Sequence, residues 1–321
     1  MRSLALILLL TLSAPAMAAE PQPALSQTDT GSLPVAGKAL AMSGDGLVVA
    51  ADEQDAGRLL LLDPISLRIM ADVALDAPVL ALAARDDLPG AVVLTGRDGA
   101  VTLRRFGTGL AESGRVPLGR LDQPAVSLTA GGEAVIAAWG GDSYAMVVGA
   151  DDQPAPVGAS YETSRPLSAA WIAGNVAYFN AATDMRLSAI NRETGTSYSE
   201  YQVSFKDGRS VLPFSVAPLL ADRACRDAYQ TEFLLGDAEL GLLTLLRADA
   251  ERGILRQIAE ASIDTREPSG NRGAVRIASS CNGAAVWLAG ASSHTLSQFS
   301  VVREGERLDF DIAIERGAQE G

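Results

Sequence analysis

The chain is built on a repeat. Short apolar segments separated by Gly/Asp turns come in groups of four, and the groups begin near residues 38, 79, 125, 167, 214 and 274. The first group reads KALAMS, the turn GDG, LVVAAD, RLLLLDP and RIMADVALD. No stretch sustains a helical period, so the chain reads as all-β. A four-stranded unit cannot bury its faces alone, so such units must stack on one another. The first segment of each group is small and apolar (ALAMS, LALAA, VSLTA, LSAAWI), as crowding at a shared centre requires. The second and third are continuously apolar, which predicts cover on both faces. The fourth are more polar and fit an outer edge. The last of these is expected at residues 307–314, where RLDFDIAI alternates cleanly.

This strand grammar resembles the β-propeller superfamily, in particular the YncE-like and WD40-like propellers exported by bacteria. The resemblance spans residues 33 to 316. It rests on period and strand order, since the chain has no Gly-His…Trp-Asp pair. It implies a single β-propeller of six four-stranded blades, with a seven-bladed count open if residues 25–35 begin another blade. A pair of β-sandwiches is the alternative architecture. The expected domains are a signal peptide (1–18), an N-terminal extension (19–36), the propeller (37–316) and a short tail (317–321).

The opening residues point to export. Arg2 supplies a positive start, residues 4–12 are an apolar run too short to span a bilayer, and Ala16-Met17-Ala18 is a small-x-small cleavage site. The expected location is the periplasm, with no transmembrane anchor. The two cysteines, Cys225 and Cys281, then read as a disulfide. In the blade layout both follow a first strand, in consecutive blades, so the bond would staple blade five to blade six. Chain-entropy reasoning gives such a bond roughly 4 kcal/mol.

Charge and motifs exclude more than they assign. There are 39 acidic against 26 basic residues, a net charge of −13, which argues against nucleic acid. The single histidine, His294, cannot build a His-rich metal centre. HExxH, CxxC, CxxCH, GxSxG and GxxxxGK[ST] are all missing from the sequence. No cofactor is implied, although calcium is possible.

One pattern stands out. Asp52 and Glu53, Asp98, Asp142, Asp184 and Asp237 each fall at or near a second-to-third-strand turn, and His294 occupies the same corner of the last unit. In a propeller this corner faces the funnel over the channel. A ring of carboxylates there would meet a basic partner or hold Ca²⁺. The plain alternative is that aspartate suits tight turns, because it bonds nearby N–H groups and tolerates left-handed backbone. Trp139, Trp171 and Trp287 read as plugs between blades, and Tyr198 and Tyr201 as decoration of an outer edge.

These features favour an exported, non-enzymatic propeller that binds a protein or ligand through its funnel face. A calcium-dependent lactonase or sugar-dehydrogenase would draw on Glu53, Asp142, Asn180, Asp184 and Asp237. An accessory subunit of a periplasmic redox complex is the third reading.

Overall fold

A computed structural model describes residues 24–33 and 37–121 and, beyond them, the strands and turns named below as far as residue 302. Its first complete unit contains β2 (Ala39–Ser43), β3 (Gly46–Glu53), β4 (Ala56–Leu62) and β5 (Ile69–Ala74), each antiparallel to the next. The strand before it, β1 (Ala24–Ser32), belongs elsewhere. The second unit is β6 (Val79–Arg85), β7 (Leu88–Arg97), β8 (Ala100–Phe106) and β9 (Glu112–Arg120). The third is β10 (Ala125–Leu128), β11 (Ala134–Ala138), β12 (Tyr144–Val148) and β13 (Pro154–Pro156). The fourth is β14 (Leu167–Ala173), β15 (Val176–Ala181), β16 (Arg186–Asn191) and β17 (Ser197–Ser204). The fifth is β18 (Ser215–Pro218), β19 (Glu232–Asp237), β20 (Leu242–Asp249) and β21 (Ile254–Ser262). The last run is β22 (Val275–Ser279), β23 (Ala285–Gly290) and β24 (Thr295–Val302).

The fourth strand of that last unit comes from the start of the chain. β1 pairs antiparallel with β24, from Ala24 opposite Val302 to Ser32 opposite Thr295. This corrects two expectations. Residues 24–32 are neither an extension outside the repeat nor the start of another unit, and they take the edge position expected for residues 307–314. The latter lie outside the described residues. Joining the two ends of the chain in one sheet closes the molecule. The first strands also touch in cyclic order: β2 with β6, then β10, β14, β18 and β22, and back to β2.

The core lies between units. Leu47, Val49 and Ala51 of β3 pack with Ala278 and Leu296 of the last unit. The alternate residues Val48 and Ala50 pack with Val79, Ala91 and Val93 of the second. A pleated strand sends successive side chains to opposite faces, so a strand sandwiched between two neighbours must be apolar at every position. β7 repeats the pattern, with Ala91 and Val93 on one side and Val92 and Leu94 on the other. The outer strand β5 is largely exposed.

Close approach fixes one glycine. Gly90 has φ +79°, and a Cβ there would lie 1.9 Å from the Phe106 carbonyl oxygen. Only glycine lets β7 begin against the end of β8.

The fourth and fifth units differ from the rest. Their outer strands β17 and β21 pair in parallel, Gln202 to Ser204 opposite Ile254 to Arg256, which fuses eight strands into one sheet. Tyr201, read from the sequence as edge decoration, is fully buried there with Tyr178 and Phe233.

Candidate functional site

Antiparallel strands place the β3–β4 and β7–β8 turns at one end of the molecule, and the β2–β3, β6–β7 and β8–β9 connections at the other. Asp52, Glu53 and Asp98 all sit at the first end, as the strand layout requires. Their side chains do different things.

Asp52 is divided between two partners. One oxygen takes the ammonium of Lys38, and the other accepts the backbone N–H of Val79 at 2.8 Å, so the carboxylate ties the first unit to the innermost strand of the second. Glu53 accepts from Arg58 Nη1 at 2.5 Å. The same guanidinium forks onto Asp72 through Nε and Nη2, at 2.8 and 2.6 Å. Arg58 holds the Asp72 carboxyl below the usual range and is itself raised by Asp72 first and Glu53 second. These residues line an open hollow of about 780 Å³ with Gln54, Ala56 and Ala74. Asp98 is a turn residue: its φ is 54° and that of Gly99 is 81°, the two positive values of a type I′ hairpin. Its side chain is exposed, as is that of Asp55 in the preceding unit.

Apolar surface meets this acidic rim at Leu80. The register of β6 slips between Val79 and Ala81, and the bulged Leu80 is 38% exposed on an innermost strand. Gly96 makes room for it, since a Cβ there would come within 2.4 Å of Leu80 Cδ1.

Sequence reasoning named the acids and missed the arginines. Arg97 reaches across from the β7–β8 turn to the carbonyls of Asp55 and Asp76, at 2.8 and 3.1 Å. Arg104, 3% exposed, donates to Asp76 at 2.7 Å and forks onto Glu112 at 3.1 and 2.6 Å, with its guanidinium carbon 5.7 Å from the Phe106 ring centre. Arg115 bonds the same two carboxylates. Asp76 is held low, chiefly by Arg115. Burial pushes Glu112 up, but its bonds from Arg104 and Arg115 win and hold it low. Hairpin register was the signal available: Arg104 lies opposite Arg115, and Glu112 opposite Phe106, on β8 and β9.

At the other end Asp45 accepts the N–H groups of Gly90 and Gly109, at 3.2 and 3.1 Å. It binds the first unit to two connections of the second.

Asp237 is the last residue of β19, and its backbone pairs with Leu242. Asp142, Asp184, His294, Cys225 and Cys281 lie outside the described residues. Among the described residues no three His, Cys, Asp or Glu side chains form a group fit for a metal ion, and no helix is long and apolar enough to cross a membrane.

Comparison with solved structures agrees with this architecture. A chain from the structure titled "Crystal Structure of Mitotic Checkpoint Complex" matches over 94% of this chain and 99% of its own, with TM-score 0.53 and 13% identity. The β-propeller domain of Cps50 (Swd1) from Myceliophteria thermophila matches over 85% and 100%, with TM-score 0.51 and 9% identity. The chain is a β-propeller. BamB from Moraxella catarrhalis also aligns, over 86% of this chain and 97% of its own, with TM-score 0.46 and 14% identity. No family model matches the sequence, and no curated protein does. At these identities the likeness establishes fold and nothing finer. The four-stranded units are therefore blades, and the pairing of β1 with β24 is the seam that closes the propeller.

Proposed function

We propose that this propeller is an exported, non-enzymatic scaffold that binds a protein partner through the end bearing the β3–β4 and β7–β8 turns. Leu80 carries the reading. It is an exposed apolar side chain on an innermost strand, at the end where Asp55 and Asp98 stand exposed in the turns. An apolar centre inside a charged rim is the general layout of a protein interface. The acidic rim and the net charge of −13 select a basic partner surface and speed its approach. Asp52 and Glu53, which a calcium site would need, are engaged by Lys38 and Arg58.

Export follows from Arg2, the apolar run and the Ala16-Met17-Ala18 site, and places the protein in the periplasm with a Cys225–Cys281 disulfide. The protein isolated from the periplasm should begin at Ala19 and gain two protons' mass on reduction.

The test of binding is capture from periplasmic extract by the wild type and two variants. Leu80→Asp should reduce recovery of the partner at least tenfold. Met70→Asp, on the exposed outer strand β5, should leave it unchanged. Equal loss in both variants, or in neither, overturns the assignment of the face. Stoichiometric calcium with no captured protein would replace this reading with the calcium-dependent enzyme.

A further inference from the structure

Arg276 stands apart from the arginines already described. It lies on β22, the innermost strand of the last blade, and its backbone pairs with Ala289 near the end of β23. That places it at the same end of the channel as Leu80. Its neighbours on the strand fix the side it faces. Ile277 packs with Leu234 and Phe299 toward the fifth blade, and Ala278 packs with Leu40 and Leu47 of the first. Strand alternation puts Arg276 on the side of Ala278, toward β2.

What it meets there is uncompensated. The Nε atom is out of reach of solvent and has no hydrogen-bond partner among the described residues. Burial holds the group below the ordinary arginine range, and no carboxylate offsets it among the described residues. On the facing flank, β2 begins at Ala39 and is preceded by Lys38, a second cation. Lys38 is itself held by Asp52, whose other oxygen faces the second blade at the Val79 N–H. By contrast Arg58, Arg85, Arg104, Arg115, Arg247 and Arg256 each hold a carboxylate. A guanidinium N–H withdrawn from water without an acceptor is costly, and an anion seated on the fork would relieve that cost.

We propose that the channel mouth between the last and first blades binds a small monocarboxylate, gripped by the planar fork of Arg276. A guanidinium fork matches the two oxygens of a carboxylate in plane. The net charge of −13 repels a phosphate dianion more strongly than a singly charged carboxylate. Binding of a free carboxylate here is independent of a partner at Leu80, and either can fail without the other.

The test uses the full mature chain labelled with ¹⁵N-arginine. The Arg276 Nε–H resonance is assigned by its loss in Arg276→Met and followed during titration with acetate against chloride at constant ionic strength. It should shift saturably with acetate. Acetate should also raise the Tm of the wild type and not that of Arg276→Met, which should fold at least as stably because a buried charge is gone. Arg276→Lys supplies a second variant that keeps charge without the fork, and it too should lose the response. An unmoved resonance, or an equal response to chloride, overturns the proposal. A stronger response to inorganic phosphate overturns the choice of carboxylate. A response to a glutamate-containing peptide with none to acetate would mean that the anion belongs to a protein, and overturns a free-ligand site.

Discussion

Two joints in the ring use different forces for one task. Between the first and second blades, polar ties overlie the apolar cluster at both ends. Asp52 reaches Val79, Arg97 reaches the carbonyls of Asp55 and Asp76, Arg104 and Arg115 grip Asp76, and Asp45 holds Gly90 and Gly109. Between the fourth and fifth blades the side chains are large and aromatic. Tyr178 and Phe233 meet at 5.8 Å between ring centres and 59° between planes, with Tyr201 and Phe205 beside them. Backbone bonds between β17 and β21 add to this, including Gln202 N–H to the Gly253 carbonyl at 2.9 Å. Blade two presents Val79, Ala91, Val93, Phe106 and Leu110 to blade one, and directional polar contacts add to that apolar cluster. Bulky rings supply area and shape together. Blade packing thus constrains total complementarity at a joint more than the type of contact that supplies it.

The comparison can be broken most forcefully at the aromatic joint. Phe233→Ala, at a fully buried position, should cost about 3–5 kcal/mol in equilibrium urea unfolding. A loss under about 1 kcal/mol would mean that the parallel strand pair, and not the rings, holds this joint. At the first joint, Arg104→Met should cost less, about 1–3 kcal/mol. The guanidinium is buried, but Asp76, with its side chain 63% exposed, falls back on water. Asp45→Ala removes one acceptor from two backbone donors and should cost about 1 kcal/mol by the same measurement.

The smallest effect is the sharpest discriminator, because it is one of pH. Asp72, Asp76 and Glu112 titrate below their ordinary values in the folded chain. Their contribution is complete above the unfolded carboxylate range, about pH 4, and is lost as pH falls through the lower folded values. Hydrogen exchange, corrected for its intrinsic pH dependence, should therefore show β5, β6 and β9 loosening first below that range. β17 and β21 should hold. Simultaneous loosening of both regions would show that the ion network does not set the stability of its own joint.

Much of this architecture was legible. The expected group starts near residues 38, 79, 125, 167, 214 and 274 agree to within one residue with the starts of β2, β6, β10, β14, β18 and β22, because two-sided burial writes itself as unbroken apolar runs and turns as Gly/Asp. The seam was not legible. ALSQTDTGS carries few apolar residues, since an outer strand needs little more than its backbone to pair, and RLDFDIAI offered the cleaner alternation. Tyr201 was misread because an outer strand looks like an edge until another blade closes over it. At the candidate site, aspartates in turns could be placed on one end of the molecule from their position alone. Their partners could not, because Lys38, Arg58 and Arg97 reach them across hairpins or from the next blade.

The sequence by itself determined the all-β class, the four-strand unit, its repetition and the end of the ring at which Asp52, Glu53 and Asp98 stand. These depend on periodicity and turn chemistry, which act over a few residues. Only the tertiary structure decided how the ring closes, which carboxylates are neutralised, and that the Nε of Arg276 is left buried with no partner among the described residues. Those outcomes depend on which segments compete for one strand edge and on which charges meet across a joint. Both are set by contacts between residues far apart in the chain, and no local pattern encodes them.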